Sequence, residues 1–441
     1  MFLIGDRVIY SASDLAAAAS CEFGLLRRLD GLTGLTPRAT AAPDPMLDRT
    51  ATLGFEHERR QLETFKRRFP GGVLTMDRPG RTAQELADAA WATFTALTSR
   101  TPVVYQATFF DGRFLGFCDF LVAEGDRYSV YDTKLSRHAK VPALLQLAAY
   151  ADALRAGGIA PSDEVHLMLG DGSDSAHSLT EILPVYRQSR DHLQHILDEH
   201  HAEGTVVDWF DSRYSGCGQC EACTVEVEQH RDLVLVAGMR TSTRNRLLDA
   251  GISTVDELAA SNGSVDGMSS RTVTNLRAQA ALQVRQERSG DAEFEIFDAD
   301  ALGVIPEPDP GDIFFDFEGD PLWAEAGSAD WGLEYLFGVY TDDGDFLPFW
   351  AHDRAQERRA LVDFLDYVTT RRAAYPNMHV YHYAPYEKTA LLRLAGRHGV
   401  GEDAVDDLLR HEVLVDLYPV VRSAVRIGAR SYSIKKLEPL Y

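Results

Sequence analysis

The sequence predicts a mixed α/β protein of more than one domain, on three observations. Residues 103–133 hold three runs rich in β-branched and aromatic residues, split by the turn signals Asp111-Gly112 and Gly125-Asp126 and followed by apolar residues at helical spacing over 141–154. A second apolar strand, Ile313-Phe-Phe-Asp-Phe-Glu318, opens directly after the proline-rich run Pro306-Glu-Pro308-Asp-Pro310. Between these regions, residues 231–288 carry only short helical patterns broken by glycine. At 441 residues the chain has room for about two to four domains, each able to bury its own core.

Taken in order, residues 1–230 form the first expected domain. It opens with a mostly helical part containing Gly54-Phe-Glu-His57-Glu58 and passes into a meander over 103–110, 113–122 and 128–133. Strand, turn, strand, turn, strand, helix is the outline of a small α/β core. Residues 231–288 read as short helix, glycine turn, short helix, which resembles a helix-hairpin-helix whose hairpin amides contact phosphates; a packed helical linker gives the same pattern. Residues 289–310 are acidic and proline-rich, which suits a linker, and 311–441 form a second α/β domain.

The composition excludes several classes. Five cysteines are too few for a disulfide scaffold, and three of them crowd at Cys217, Cys220 and Cys223, as in a metal or cluster site of a reducing compartment. The apolar start of the chain is interrupted by Asp6 and Arg7, unlike a signal peptide, and no stretch approaches the roughly 18 apolar residues of a membrane span. A soluble, cytoplasmic protein with no membrane partner is expected. Lys and Arg number 44 against 67 Asp and Glu, a net charge of −23, which argues against a uniformly basic nucleic-acid-binding surface. The charge is uneven: residues 1–150 hold 18 basic and 17 acidic side chains, the remainder 26 and 50.

Two carboxylates stand on adjacent strands of the meander, Asp119 in Gly116-Phe-Cys-Asp119 and Asp132 in Tyr131-Asp132-Thr133-Lys134. Such a pair can hold a divalent ion and orient water against a phosphodiester. Lys134, two residues on and hence on the same strand face as Asp132, can stabilise the developing charge. His57 lies upstream, and Gln146 and Tyr150 stand four apart on one helix face downstream.

The order G-x-x-H-E, G-x-x-D, D-x-K, Q-x-x-x-Y resembles the nuclease domain of the RecB and AddB type within the PD-(D/E)XK, restriction-endonuclease-like superfamily. The resemblance implies that His57, Asp119 and Asp132 bind Mg or Mn together with the Thr133 carbonyl. It makes Lys134 the catalytic lysine and gives Gln146 and Tyr150 the placing of the backbone or the water. Cys118, before Asp119, is read as buried filler without chemistry.

Cys217-Gly-Gln-Cys220-Glu-Ala-Cys223 supplies three thiolates, and Cys21 is a candidate fourth. On spacing alone zinc and an iron-sulfur cluster are comparable. A subset of RecB-like nucleases brackets the core with one N-terminal and three C-terminal cysteines around a 4Fe-4S cluster. The resemblance implies that role for Cys21, Cys217, Cys220 and Cys223, with zinc as the alternative. A cross-link closing so long a loop restricts the unfolded chain strongly, so a structural centre is expected.

In the last domain, Asp316 and Glu318 project from one face of an apolar strand, as at the start of RNase H-like exonucleases of the DEDD group. Val380-Tyr-His382-Tyr-Ala-Pro-Tyr386-Glu387 resembles their second motif, with Glu387 where Asp is usual and Tyr383 where Asn is common. Asp416 and the run around Lys435 and Lys436 fit the later part of that fold. The final motif of the group is not found before Tyr441, so a partial, truncated RNase H-like domain is expected.

The whole order resembles a bacterial family of RecB-like nucleases whose longer members continue into a superfamily one helicase. No phosphate-binding G-x-x-x-x-G-K-[ST] loop occurs, so a helicase is expected beyond Tyr441 or in trans. The implied activity is Mg- or Mn-dependent hydrolysis of DNA, at single-stranded ends in repair or processing. The contrasting expectation is a non-catalytic nucleic-acid-binding or assembly module with degenerate sites.

Overall fold

In the computed structural model the chain divides into two units, Met1–Glu226 and Val227–Tyr441. The structure describes residues 1–38, 43–325, 328 and 330–440; Tyr441 lies outside the described residues.

The first unit runs β1 (Phe2–Ile4), β2 (Arg7–Ser11), α1 (Ala12–Ser20), α2 (Glu22–Thr33), α3 (Pro45–Arg68), β3 (Val73–Thr75) and α4 (Ala83–Thr98). The meander follows as β4 (Val103–Phe110), β5 (Phe114–Glu124) and β6 (Arg127–Lys134). Then come α5 (Val141–Ala156), β7 (Pro161–Leu169), β8 (Asp174–Ser178), α6 (Leu179–Glu203) and α7 (Glu221–Gln229), the last reaching into the second unit. Asp111 accepts the amides of Arg113 and Phe114, and Gly112 and Gly125 take positive φ, which fixes the two tight turns.

The sheet forks at β5. One edge of β5 is covered by β4 from Leu115 to Val122 except at Asp119, whereas the other is shared, by β2 at Phe114 and Leu115 and by β6 from Phe120 to Glu124. Pairing on that second edge lapses over residues 116–119. The side-chain alternation also breaks here. Val104 and Leu121 share the main core with Ala107 and Cys118, so the faces swap between 105 and 107 and between 118 and 120. Gln106, at φ 60, is the backbone cause. β6 leaves β5 after Tyr131 and stays on β7 as far as Lys134, so Asp119 and Asp132 sit where two strands splay.

α5 is buried on nearly every side, as expected of a helix rich in Leu and Ala; it packs on α1, α6 and the sheet, with Pro142 in its first turn.

The second unit begins with α8 (Thr241–Asp249), α9 (Val255–Ala260) and α10 (Ser270–Ser289). Gly251 (φ 77) makes the turn between α8 and α9, and Thr254 and Glu257 close a capping box on α9. Residues 289–310, expected as a linker, are folded in part. β9 (Phe294–Ile296) pairs antiparallel with a strand far along the chain, β15 below, and a 3-10 turn follows at Asp300–Val304.

A five-stranded sheet completes this unit. Its strands are β10 (Ile313–Ala324), β11 (Trp331–Thr341), β12 (Phe346–Trp350), β13 (Val380–His382) and β14 (Leu414–Asp416), in the order β12-β11-β10-β13-β14. The first three are antiparallel and β10, β13 and β14 are parallel. Parallel neighbours need crossovers, supplied by α11 (Arg354–Ala374), then α12 (Tyr386–His398) with α13 (Glu402–Arg410). α14 (Leu417–Ala424) and β15 (Val425–Ile427) follow. Along β10 the alternation is clean: Ile313, Phe315 and Phe317 enter the core, where Phe315 stacks on Phe364 at 4.2 Å, and Asp316 and Glu318 take the opposite face.

Candidate active sites and a cysteine centre

Asp132 is 1% exposed, on the face of β6 turned toward α5. Lys134 Nζ contacts its Oδ2, and Gln146 Nε2 donates to its Oδ1 (3.2 Å) and to Tyr150 Oη (2.9 Å). Gln146 and Tyr150 share a helix face four residues apart, so one helix presents both. Asp119 replaces the missing β5 backbone at the fork: its Oδ2 accepts from the amide (2.8 Å) and hydroxyl (2.7 Å) of Thr133. Gly116 leaves room for Tyr150, whose Cε1 would lie 2.6 Å from a Cβ placed there.

The charges at this site do not balance. Burial, then the charge of Asp119, pushes the Asp132 carboxyl up to about 7. Burial opposes the charge on Lys134, yet Asp132, Asp119 and Glu58 outweigh it and hold its pKa above normal. Three carboxyl groups thus act on one ammonium, and the donors are hard oxygens, so the set fits a Mg- or Mn-like cation. Cys118 is fully buried and its thiol is kept protonated by burial and then by Asp119, as suits filler.

Glu58 was not singled out by the sequence. Its Oε1 accepts from Tyr105 Oη (2.8 Å) and from Gln106 Nε2, and burial, then Asp119, raises its pKa. His57, expected as a metal ligand, has Nε2 2.9 Å from the Met168 carbonyl on β7, which leaves Nδ1 as its nitrogen for a cation. Consecutive helical residues point about 100° apart, so α3 turns Glu58 toward the strands at Asp119 and His57 toward β7. The signal that separates the two was present only in the helical phase of α3.

In the second unit Asp316 shares a hydrogen bond with Glu387; burial, then that bond, pushes Asp316 up to about 6, with Glu318 adding to the effect. Glu387 is 3% exposed in the first turn of α12, its Oε2 3.2 Å from His382 Nδ1. That nitrogen makes its hydrogen bond to the Ala384 carbonyl at 2.8 Å, so Glu387 Oε2 is a buried carboxylate oxygen without a donor. A cation would relieve it, and the oxygen donors again fit Mg or Mn. Asp416 ends β14 next to β13, and its Oδ1 accepts from the amides of Tyr418 (2.9 Å) and Ala384 (2.8 Å), so it also caps α14. Tyr383 donates to the Tyr432 carbonyl.

Cys21, Cys217, Cys220 and Cys223 bring their sulfurs within 4.8 Å of one another, the one such group of ligand atoms among the described residues. Cys21 lies 3.4 Å from Cys223 and 3.8 Å from Cys220, and Cys217 lies 3.9 Å from Cys223. Backbone amides of Gly24, Gln219 and Cys220 point at the sulfurs, and the bond from Cys223 lowers the Cys21 thiol to about 5. Glu22 ties the two ends together by accepting from the Ser215 amide at 2.7 Å. Four thiolates at about 2.3 Å from a single tetrahedral ion stand about 3.8 Å apart, close to these separations. In a cubane cluster each thiolate takes a different iron and the sulfurs stand farther apart.

The model of the PD-(D/E)XK nuclease superfamily matches residues 10–225, and that of the RNase H superfamily matches residues 313–441. No curated protein is significantly similar to the chain. Among the described residues no helix is long and apolar enough to cross a membrane.

Proposed function

For a chain that carries a PD-(D/E)XK superfamily nuclease domain followed by an RNase H superfamily domain, we propose a Mg- or Mn-dependent DNA nuclease acting at single-stranded ends. The observation that carries this reading is Asp132, buried and paired to Lys134 beside Asp119 at the strand fork. Asp119 and Asp132 would hold the cation, with His57 or its neighbour Glu58 as the third ligand. The bound cation supplies Lewis-acid stabilisation of the phosphodiester and a water of lowered pKa. Lys134 holds a positive charge where the attacking oxygen and the scissile phosphate meet. Gln146 fixes the Asp132 carboxylate and, with Tyr150, sets the backbone or the water in line. In the second domain Asp316, Glu318 and Glu387 would form a second cation site, with Asp416 two strands away on β14. The work of such an enzyme is DNA repair or processing, with a helicase as its expected partner.

The test is cleavage of end-labelled single-stranded DNA with Mn, comparing wild type with Asp132→Ala and Asp316→Ala. Loss in Asp132→Ala alone supports the first domain as the catalyst. Loss only in Asp316→Ala reverses the assignment, and a wild type that binds without cleaving leaves a non-catalytic binding module.

For the cysteines two fillings stand against each other. The resemblance assigns a 4Fe-4S cluster, whereas the sulfur separations favour one tetrahedral ion such as zinc. A brown protein with iron and sulfide in equal amounts supports the cluster; a colourless one with one zinc supports the ion.

A further inference from the structure

The second unit holds a cavity of about 370 Å³ between the start of α8, the exposed face of α10 and the segment from α14 to Tyr432. Three arginines line it, Arg240, Arg422 and Arg426, together with Thr243, Thr272 and Asn275, and no carboxylate does. This is unexpected by composition, since acidic side chains outnumber basic ones 50 to 26 over residues 151–441.

The arginines are held in place in ways that leave charge uncancelled. Arg426 is buried, lies 4.7 Å over the Phe297 ring and pairs with Glu295 at 2.8 Å, so its charge is met. Arg422 is stacked 4.7 Å over Tyr432. Neither Arg422 nor Arg240 has a carboxylate partner among the described residues. The floor is rigid: Tyr432 Oη donates to Gln279 Oε1 (3.1 Å), and Gln279 Nε2 donates to the Ile427 carbonyl (2.8 Å). Arg240 is also the N-cap of α8, whose first amides receive no side-chain cap.

We propose that this cavity binds a phosphodiester group of single-stranded DNA, as a backbone-holding site separate from both carboxylate centres. Two arginines without counter-charge, hydroxyl and amide donors and an uncapped helix start together make an anion site. Tyr432 is buried and Arg426 covers one face of Phe297, so the groups turned to the cavity are mainly guanidinium, hydroxyl and amide donors. The site therefore grips backbone without reading sequence. The proposal rests on the nuclease reading for the identity of the polyanion.

The test measures anisotropy of fluorescein-labelled oligo(dT) in EDTA over a range of KCl, for wild type, the double variant Arg240→Gln/Arg422→Gln, and Thr243→Glu. The double variant is expected to bind about tenfold more weakly. Its slope of log affinity against log salt should shrink by about 0.7, the amount one lost phosphate contact on a single strand removes. Thr243→Glu puts a carboxylate at the cavity and should weaken binding while both arginines remain. Thermal midpoints should match wild type, and Mn-dependent cleavage of bis(p-nitrophenyl) phosphate, whose turnover needs only a carboxylate centre, should not change. Unchanged affinity and slope in both variants overturn the proposal. So does thymidine monophosphate or inorganic phosphate occupying the cavity when oligo(dT) cannot displace it, which makes it a free-nucleotide site. A wild type that cleaves nothing but binds through these arginines overturns the nuclease reading and leaves this one standing.

Discussion

The two carboxylate sites differ in what balances them. At the first, Lys134 sits on Asp132, and Gln146 and Tyr150 hold the pair. At the second, Asp316 and Glu387 face each other with His382 as the neighbouring base, its nitrogen already given to the Ala384 carbonyl. Both sites carry excess negative charge, but the first has an ammonium of its own in place, whereas at the second no lysine or arginine meets Asp316 or Glu387 among the described residues. A nuclease domain with its own lysine is thus the better candidate for turnover.

The largest effect that can break this contrast is on cleavage. Lys134→Met is expected to lower kcat by about 10²–10³-fold with little change in KM, read by single-turnover cleavage of end-labelled DNA. Asp316→Ala should leave the same rate within about twofold, and a comparable loss there would erase the distinction.

Next comes stability at the cysteines. Cys223→Ser should abolish metal content and destabilise the first unit by about 2–5 kcal/mol, as loss of a long-loop cross-link does. Thermal unfolding with metal analysis checks it.

A third prediction concerns buried charge. The folded-state pKa of Asp132 is raised to about 7 from 3.8, so metal-free protein is penalised above pH 7 and relieved as pH falls through about 7 toward 4. Asp132→Asn should therefore raise the thermal midpoint in EDTA above pH 7 and lose that advantage as pH falls, while abolishing cleavage. The charges of Asp119 and Glu58 still favour the Lys134 ammonium in that variant.

The smallest effect separates neighbours on one helix. His57→Asn should cost about 1 kcal/mol of stability through its bond to Met168 and spare much of the activity, whereas Glu58→Gln should weaken Mn binding more than it affects unfolding. Mn titration of both variants decides it.

Much of the fold was legible in sequence because its signals are local. The turns at Asp111-Gly112 and Gly125-Asp126, the alternation along β10 and the helical spacing of α5 each arise within a few residues. What was not legible depends on distant partners. The strand at Phe294–Ile296 exists because Val425–Ile427 pairs with it, and acidic, proline-rich surroundings hid it. The face swap at Gln106 follows from a backbone angle that no side-chain pattern announces. At the site, Asp132 and Lys134 share a face by strand periodicity alone, but that Glu58 reaches the strands at Asp119 while His57 meets Met168 needs the rotation of α3 against the sheet. Asp416 read as one more acid, yet two backbone amides already claim one of its oxygens.

The cysteine centre has a consequence for how the first unit is made. Its ligands are separated by 196 to 202 residues, from Cys21 to the group beginning at Cys217. A chain still being synthesised, or nicked and unravelled in between, offers at most one thiolate on the near side and cannot complete the set of four. Contacts so far apart in sequence form late. Any metal or cluster captured there would act as a receipt for a finished domain, and the bound fraction in a preparation would count the molecules that folded to the end.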